Sequence, residues 1–243
     1  MKFALFLTAL LFSYTSNAQT IEYKVADKTY EGFFEAAQGV NKGLVILIHD
    51  WDGLTDYEVK RSQMLSKLGY DTFAVDLYGK GNRPVEMQMK KSETAKLYQD
   101  RETMRQLILA GVVQAKQLSK NKSMVVMGYC FGGAAVLELA RSGQGVEVKG
   151  YASFHGGLAT PEGQSYSAAS APILIAHGGA DSSVPMTDVA QLSVELEQAK
   201  VDYEIQVYSG APHAFTVFGS DRYHQQADEK SWAAMLQFLD KQL

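Results

Sequence analysis

Gly128-Tyr-Cys-Phe-Gly-Gly133 sets a single thiol among glycines, directly after an apolar run at 124–127. A nucleophile flanked as G-x-Cys-x-G at a strand-to-helix junction is a nucleophile elbow, with cysteine in the place of serine. So sharp a turn strains the nucleophile's backbone, and its neighbours must lack a Cβ for the chain to pass. A helix that starts at once presents unpaired N–H groups, which favour negative charge on Cys130. The N–H of Phe131 is then expected to face a developing oxyanion. Read alone, the pattern also fits a tight turn around a packed cysteine.

Two further strand ends supply the partners such a thiol needs. His177-Gly-Gly-Ala-Asp181 follows the apolar run 173–176, and Ser209-Gly-Ala-Pro-His213 follows 203–207. Asp181 is expected to orient and charge-stabilise the imidazole of His213, the general base. An acid in a glycine turn or a histidine in a surface loop has an ordinary structural reading on its own. Nucleophile, acid and base in that chain order, each after its own strand, make Cys130, Asp181 and His213 the expected catalytic triad. A fourth strand end, His49-Asp-Trp-Asp-Gly53, offers the second oxyanion N–H at Trp51. His49 and Asp50 are expected to tune the thiol; alternatively, His49 is a strand-end ring paired with a neighbouring carboxylate. Tyr78, Lys80, Arg83, Tyr129, Phe154 and His155 are expected to bind substrate, with Trp51 and Phe218 adding apolar surface.

These residues require a scaffold, and the chain has one. Short apolar runs at 44–48, 72–75, 124–127, 151–154, 173–176 and 203–207 alternate with helical stretches at 57–68, 85–119, 132–141, 189–199 and 226–239. Near-continuous apolar strands separated by helices predict a mostly parallel, doubly wound α/β sheet with helices on both faces. Residues 21–34 alternate polar and apolar, which predicts an antiparallel hairpin at the sheet edge. Whether 85–98 forms a lid or part of a packed helix is open at this level. In such sheets functional residues collect at the C-terminal ends of strands.

Composition narrows the context. The chain has 243 residues, 46% hydrophobic and 21% charged, enough for one domain with a full core. Its formal charge of −4, without a basic block, disfavours nucleic acid and anionic membrane surfaces as partners. Met1-Lys2, the apolar run 3–12 and Ser16-Asn-Ala18 read as a signal peptide cut after Ala18. The chain then divides into a signal peptide at 1–18 and a single domain at 19–243. That predicts a periplasmic or secreted protein, monomeric and free of membrane after cleavage. Exported proteins ordinarily pair their cysteines, so the lone Cys130 suits a reactive role. His155, His177 and His224 show no metal-ligand spacing, and no phosphate loop or dinucleotide fingerprint is present, so no metal or cofactor is expected.

The motifs resemble those of the dienelactone hydrolases, the carboxymethylenebutenolidases, within the α/β-hydrolase fold. The residues that carry the likeness are His49-Asp-Trp-Asp-Gly-Leu54, Asp76-Leu-Tyr78, Gly128 to Gly133, Ser153-Phe-His-Gly-Gly157, His177 to Asp181 with Val184-Pro185, and Pro212-His-Ala-Phe215. The resemblance implies a Cys-His-Asp triad that opens an enol-lactone or ester through a thioester acyl-enzyme. It also implies an acidic residue that activates the thiol, held here by Asp50, a methylene shorter than the usual Glu. Two arginines that clamp a substrate carboxylate in well-studied members correspond to Lys80, with Arg83 nearby, and to Val217. A valine cannot make a bidentate carboxylate contact and a lysine is only a point charge, so a small ester or lactone other than dienelactone is the expected substrate. Thioesterase or peptidase chemistry on the same scaffold, or a non-catalytic exported binding protein, are the alternatives.

Overall fold

The apolar runs become the strands of one eight-stranded sheet, ordered β1-β2-β4-β3-β5-β6-β7-β8 in the computed structural model, which describes residues 18–243. The expected signal peptide lies outside the described residues except for Ala18, which opens β1. Strands β1 (Ala18–Val25) and β2 (Lys28–Glu35) form the expected antiparallel edge hairpin. From β4 (Tyr70–Val75) through β3 (Gly43–Ile48), β5 (Met124–Tyr129), β6 (Val148–Phe154), β7 (Ile173–Gly178) and β8 (Tyr203–Tyr208), every pairing is parallel. All residues of β3, β4, β5 and β7 are buried, as continuous apolar strands covered on both faces must be.

Helices complete two cores. One face of the sheet is covered by α3 (Arg101–Leu118), α4 (Phe131–Ser142) and α5 (Met186–Ala199), through residues such as Met104, Ile108, Val136, Leu139, Leu192 and Leu196. The other is covered by α1 (Asp56–Ser66) and α6 (Gln225–Gln242), through Leu65, Met235, Phe238 and Leu239. The helical region expected at 85–119 is two helices, α2 (Met87–Gln99) and α3. Asp100 breaks it: its backbone is non-helical and its carboxylate accepts the Thr103 N–H at 3.0 Å, so it caps the second helix. Thr55 and Glu58 start α1 with a reciprocal capping box.

After β3 the chain adds β4 on one side, then returns to place β5 on the other. The crevice outside the carboxyl ends of β3 and β5 is the topological switch point of the sheet, where α/β proteins bind ligands. Cys130 follows β5 immediately, and the loop at 49–53 follows β3.

Candidate active site

The backbone of Cys130 stands at φ +51° and ψ −113°, an unfavourable conformation for a side chain of its kind. Its N–H donates to Phe154 O at 3.0 Å, and its carbonyl accepts the Ala134 N–H at 3.2 Å. The glycines are required by close approach: a Cβ on Gly132 would stand 2.3 Å from the carbonyl oxygen of Ile48, and one on Gly128 would stand 2.4 Å from backbone atoms of Gly132. The elbow thus presses α4 against the end of β3 and leaves the thiol partly exposed at the helix N-terminus.

The three residues expected to work together meet. His213 Nε2 lies 3.1 Å from Cys130 Sγ, and His213 Nδ1 lies 2.8 Å from Asp181 Oδ2. The second carboxylate oxygen of Asp181 accepts the N–H groups of Ser183 and Val184 at 2.8 and 2.9 Å. Burial opposes charge on Asp181, but the His213 bond and these two N–H groups hold it below the usual carboxylate range. Burial alone would lower His213; its contacts with Asp181 and Cys130 outweigh that and push it up to about 10. The ring is therefore poised to hold a proton taken from sulfur. The N–H groups of Phe131 and Trp51 donate no hydrogen bond among the described residues, so both are free for an incoming oxygen.

This geometry sits within a chain whose residues 31–243 match the sequence model of the dienelactone hydrolase family. The chain belongs to that family. A Yersinia pestis protein assigned by name to the carboxymethylenebutenolidases is 26% identical over 208 residues, covering 81% of this chain and 77% of that protein. A Saccharolobus solfataricus protein assigned the same name is 26% identical over 230 residues, covering 80% and 88%. Among solved structures, a dienelactone hydrolase-like promiscuous phosphotriesterase from metagenomic libraries superposes with a TM-score of 0.84 at 25% identity, over 93% of this chain and 98% of that one.

Other site residues of this dienelactone hydrolase family member differ from expectation. His49 does not tune the thiol directly: its Nδ1 meets the Asp50 carbonyl at 2.6 Å and its Nε2 accepts the Leu77 N–H at 3.1 Å, so both nitrogens are engaged and the second ties the end of β3 to the segment after β4. Its burial pulls it down to about 4, which keeps it neutral. It is a strand-end ring, as the alternative reading held, although the oxygen it meets belongs to the backbone. Asp50 makes no hydrogen bond to sulfur; one of its oxygens accepts the Asp52 N–H at 2.8 Å. Burial, then the charge of Asp52, raise its carboxyl to about 6.

Five residues expected at the substrate are engaged elsewhere. Lys80 pairs with Glu22 of β1 at 2.5 Å on the exposed edge. Arg83 turns back to Asp76 and to the carbonyls of Leu54, Gly79 and Asn82. Tyr129 and Phe154, the last residues of β5 and β6, are core residues of the α1–α6 face, since their strand side chains point into that face of the sheet. His155 is fully buried beneath His213, with ring centroids 5.4 Å apart, and meets Thr216 Oγ1 at 2.8 Å. Tyr78 does remain beside the site, packed on His49 and Phe131 with its hydroxyl unpartnered.

Two contributors, Tyr98 and Lys90, had no local sequence signal, and His177 was legible only as part of its motif. Tyr98 of α2, 37% exposed, packs edge-on against Phe131 at 5.4 Å. Lys90 of α2 pairs with Asp52 at 2.6 Å and lies over the Trp51 ring at 5.5 Å, which fastens α2 across the β3 loop. His177 Nε2 donates to the Val184 carbonyl at 3.1 Å and so closes the loop that carries Asp181. Among the described residues no group of three or more His, Cys, Asp or Glu side chains could hold a metal ion.

Proposed function

We propose that this member of a hydrolase family cleaves a small ester or lactone through a thioester acyl-enzyme on Cys130. The observation that carries the reading is the continuous contact from Cys130 Sγ through the His213 ring to Asp181 at 3.1 and 2.8 Å, on a strained elbow at the sheet's switch point. In this reading His213 Nε2 takes the thiol proton as sulfur attacks the carbonyl carbon. The S–C bond forms, and the carbonyl pair moves to an oxygen received by the N–H groups of Phe131 and Trp51. Collapse breaks the C–O bond, and His213 returns the proton to the leaving alkoxide or enolate. Water, deprotonated by the same ring, then cleaves the thioester. A thiolate leaves the tetrahedral adduct more readily than a poor alkoxide does, so activated esters, enol lactones and thioesters suit the site better than amides.

The substrate we infer carries no carboxylate to be clamped: Lys80 and Arg83 are engaged with protein oxygens, and Val217 follows the catalytic loop. The signal-peptide reading of residues 1–18 places the reaction in the periplasm or outside the cell. Hydrolysis of p-nitrophenyl acetate tests the chemistry. Activity should vanish in Cys130→Ala and after iodoacetamide treatment; turnover that survives in Cys130→Ala would overturn the mechanism.

A further inference from the structure

Next to His213, a buried polar chain crosses the α1–α6 face of the sheet. Arg61 of α1 is 1% exposed; its Nε donates to Tyr57 Oη at 3.2 Å, and one Nη2 reaches both the Thr216 carbonyl at 2.9 Å and Asp228 of α6. Tyr57 Oη lies 2.6 Å from Thr216 Oγ1, which lies 2.8 Å from His155 Nε2. Thr216 is therefore gripped through its backbone and its side chain, three residues beyond His213. The intervening Ala214 stands at φ +63° and His155 at φ +40°, so strained backbone flanks the grip on both sides.

The donors can run in one sense along this chain. Tyr57 oxygen already accepts from Arg61, so its proton is free for Thr216, whose proton in turn is free for His155 Nε2. In this sense the Thr216 hydroxyl satisfies a ring nitrogen of a neutral His155. His155 then presents its neutral ring to the edge of His213. Burial holds His155 well below its ordinary value, and the charges on His213 and Arg61 act in the same sense. A charged ring there would repel the imidazolium that the reaction forms.

We propose that Thr216 is a positioning residue for the catalytic base: its hydroxyl, fixed by Tyr57 while Arg61 holds its carbonyl, holds His155 as a neutral backstop that keeps His213 against Cys130. The inference rests on the triad reading above. A base displaced by a fraction of an ångström should lose turnover more than binding.

The test compares Thr216→Val, which keeps the shape and removes the hydroxyl, with Thr216→Ser, which restores it. Turnover of p-nitrophenyl acetate and the rate of Cys130 alkylation by iodoacetamide, followed by mass spectrometry, are both measured. Thr216→Val should lower kcat roughly 10- to 100-fold with KM unchanged. It should slow alkylation as well, because sulfur reacts only after its proton has gone to a base. Thr216→Ser should recover most of both. Wild-type values in Thr216→Val, or a Thr216→Ser variant as impaired as the valine, would overturn the proposal. If Thr216→Val does not fold, Tyr57→Phe breaks the same chain from the other end and is judged by the same readouts. A wild-type protein that hydrolyses no ester would count against the enzymatic reading, while alkylation rates would still decide the role of Thr216.

Discussion

The meeting of Cys130, His213 and Asp181, which we propose as the triad, was legible residue by residue because each member carries a backbone signature as well as a chemistry. Cys130 sits between glycines that the β3 carbonyls demand, and Asp181 and His213 lie in turns that end β7 and β8. Lys80, Arg83, Tyr129, Phe154 and His155 carried no such signature. Where a long side chain points is decided by tertiary partners such as Glu22, Asp76 and Thr216, which lie 58, 7 and 61 residues from the groups they meet. At this scale Asp181→Asn is the informative change. It keeps an acceptor near His213 but removes the charge that supports a protonated ring, and in serine enzymes the equivalent loss is on the order of 10⁴-fold in kcat. We expect kcat to fall by about 10²- to 10⁴-fold with KM little changed, as read by steady-state kinetics. A loss confined to KM would place Asp181 at the substrate instead.

Elements were legible where periodicity and stop signals agree. The six apolar strands and the edge hairpin fall where alternation and turns put them. The helical stretch at 85–119 did not reveal its break, because Asp100 reads as an ordinary helix-surface residue until its carboxylate is seen to cap Thr103. Capping also buries a cost at the start of α1. Glu58 is fully buried there, and one of its oxygens accepts from both the N–H and the hydroxyl of Thr55. Burial first, then the charge of Asp50, raise its carboxyl to about 8. A folded-state value above the unfolded value of about 4.3 means that the native protein holds a proton which the unfolded chain releases. Stability should therefore fall as pH rises from about 4.3 to about 8. Glu58→Gln preserves the capping box without the titration. Its urea midpoint should match wild type near pH 4 and exceed it at pH 9; an advantage independent of pH would mean that Glu58 is ionised in the fold throughout.

At the scale of the molecule, the sheet class could be read from alternating strands and helices, but the ties between distant helices could not. Arg61 of α1 and Asp228 of α6 form a buried ion pair across 167 residues, and no spacing rule connects them. Removing one partner strands the other charge in the core, which costs about 3–5 kcal/mol in comparable buried pairs. Asp228→Ala should thus lower the urea unfolding free energy by about 3–5 kcal/mol. A loss below about 1 kcal/mol, the range of an exposed pair, would show that water reaches the guanidinium.

The parts of the site are scattered along the chain: 83 residues separate Cys130 from His213. Synthesis proceeds from the amino terminus, so the thiol emerges well before its base exists, and β8 must dock on β7 before the ring can approach it. An unfinished chain carries an unassisted cysteine among glycines, without the ring we propose as its general base. Under the proposed mechanism reactivity arrives together with the last strand, which makes it a property of the completed sheet and spares the nascent chain an activated nucleophile.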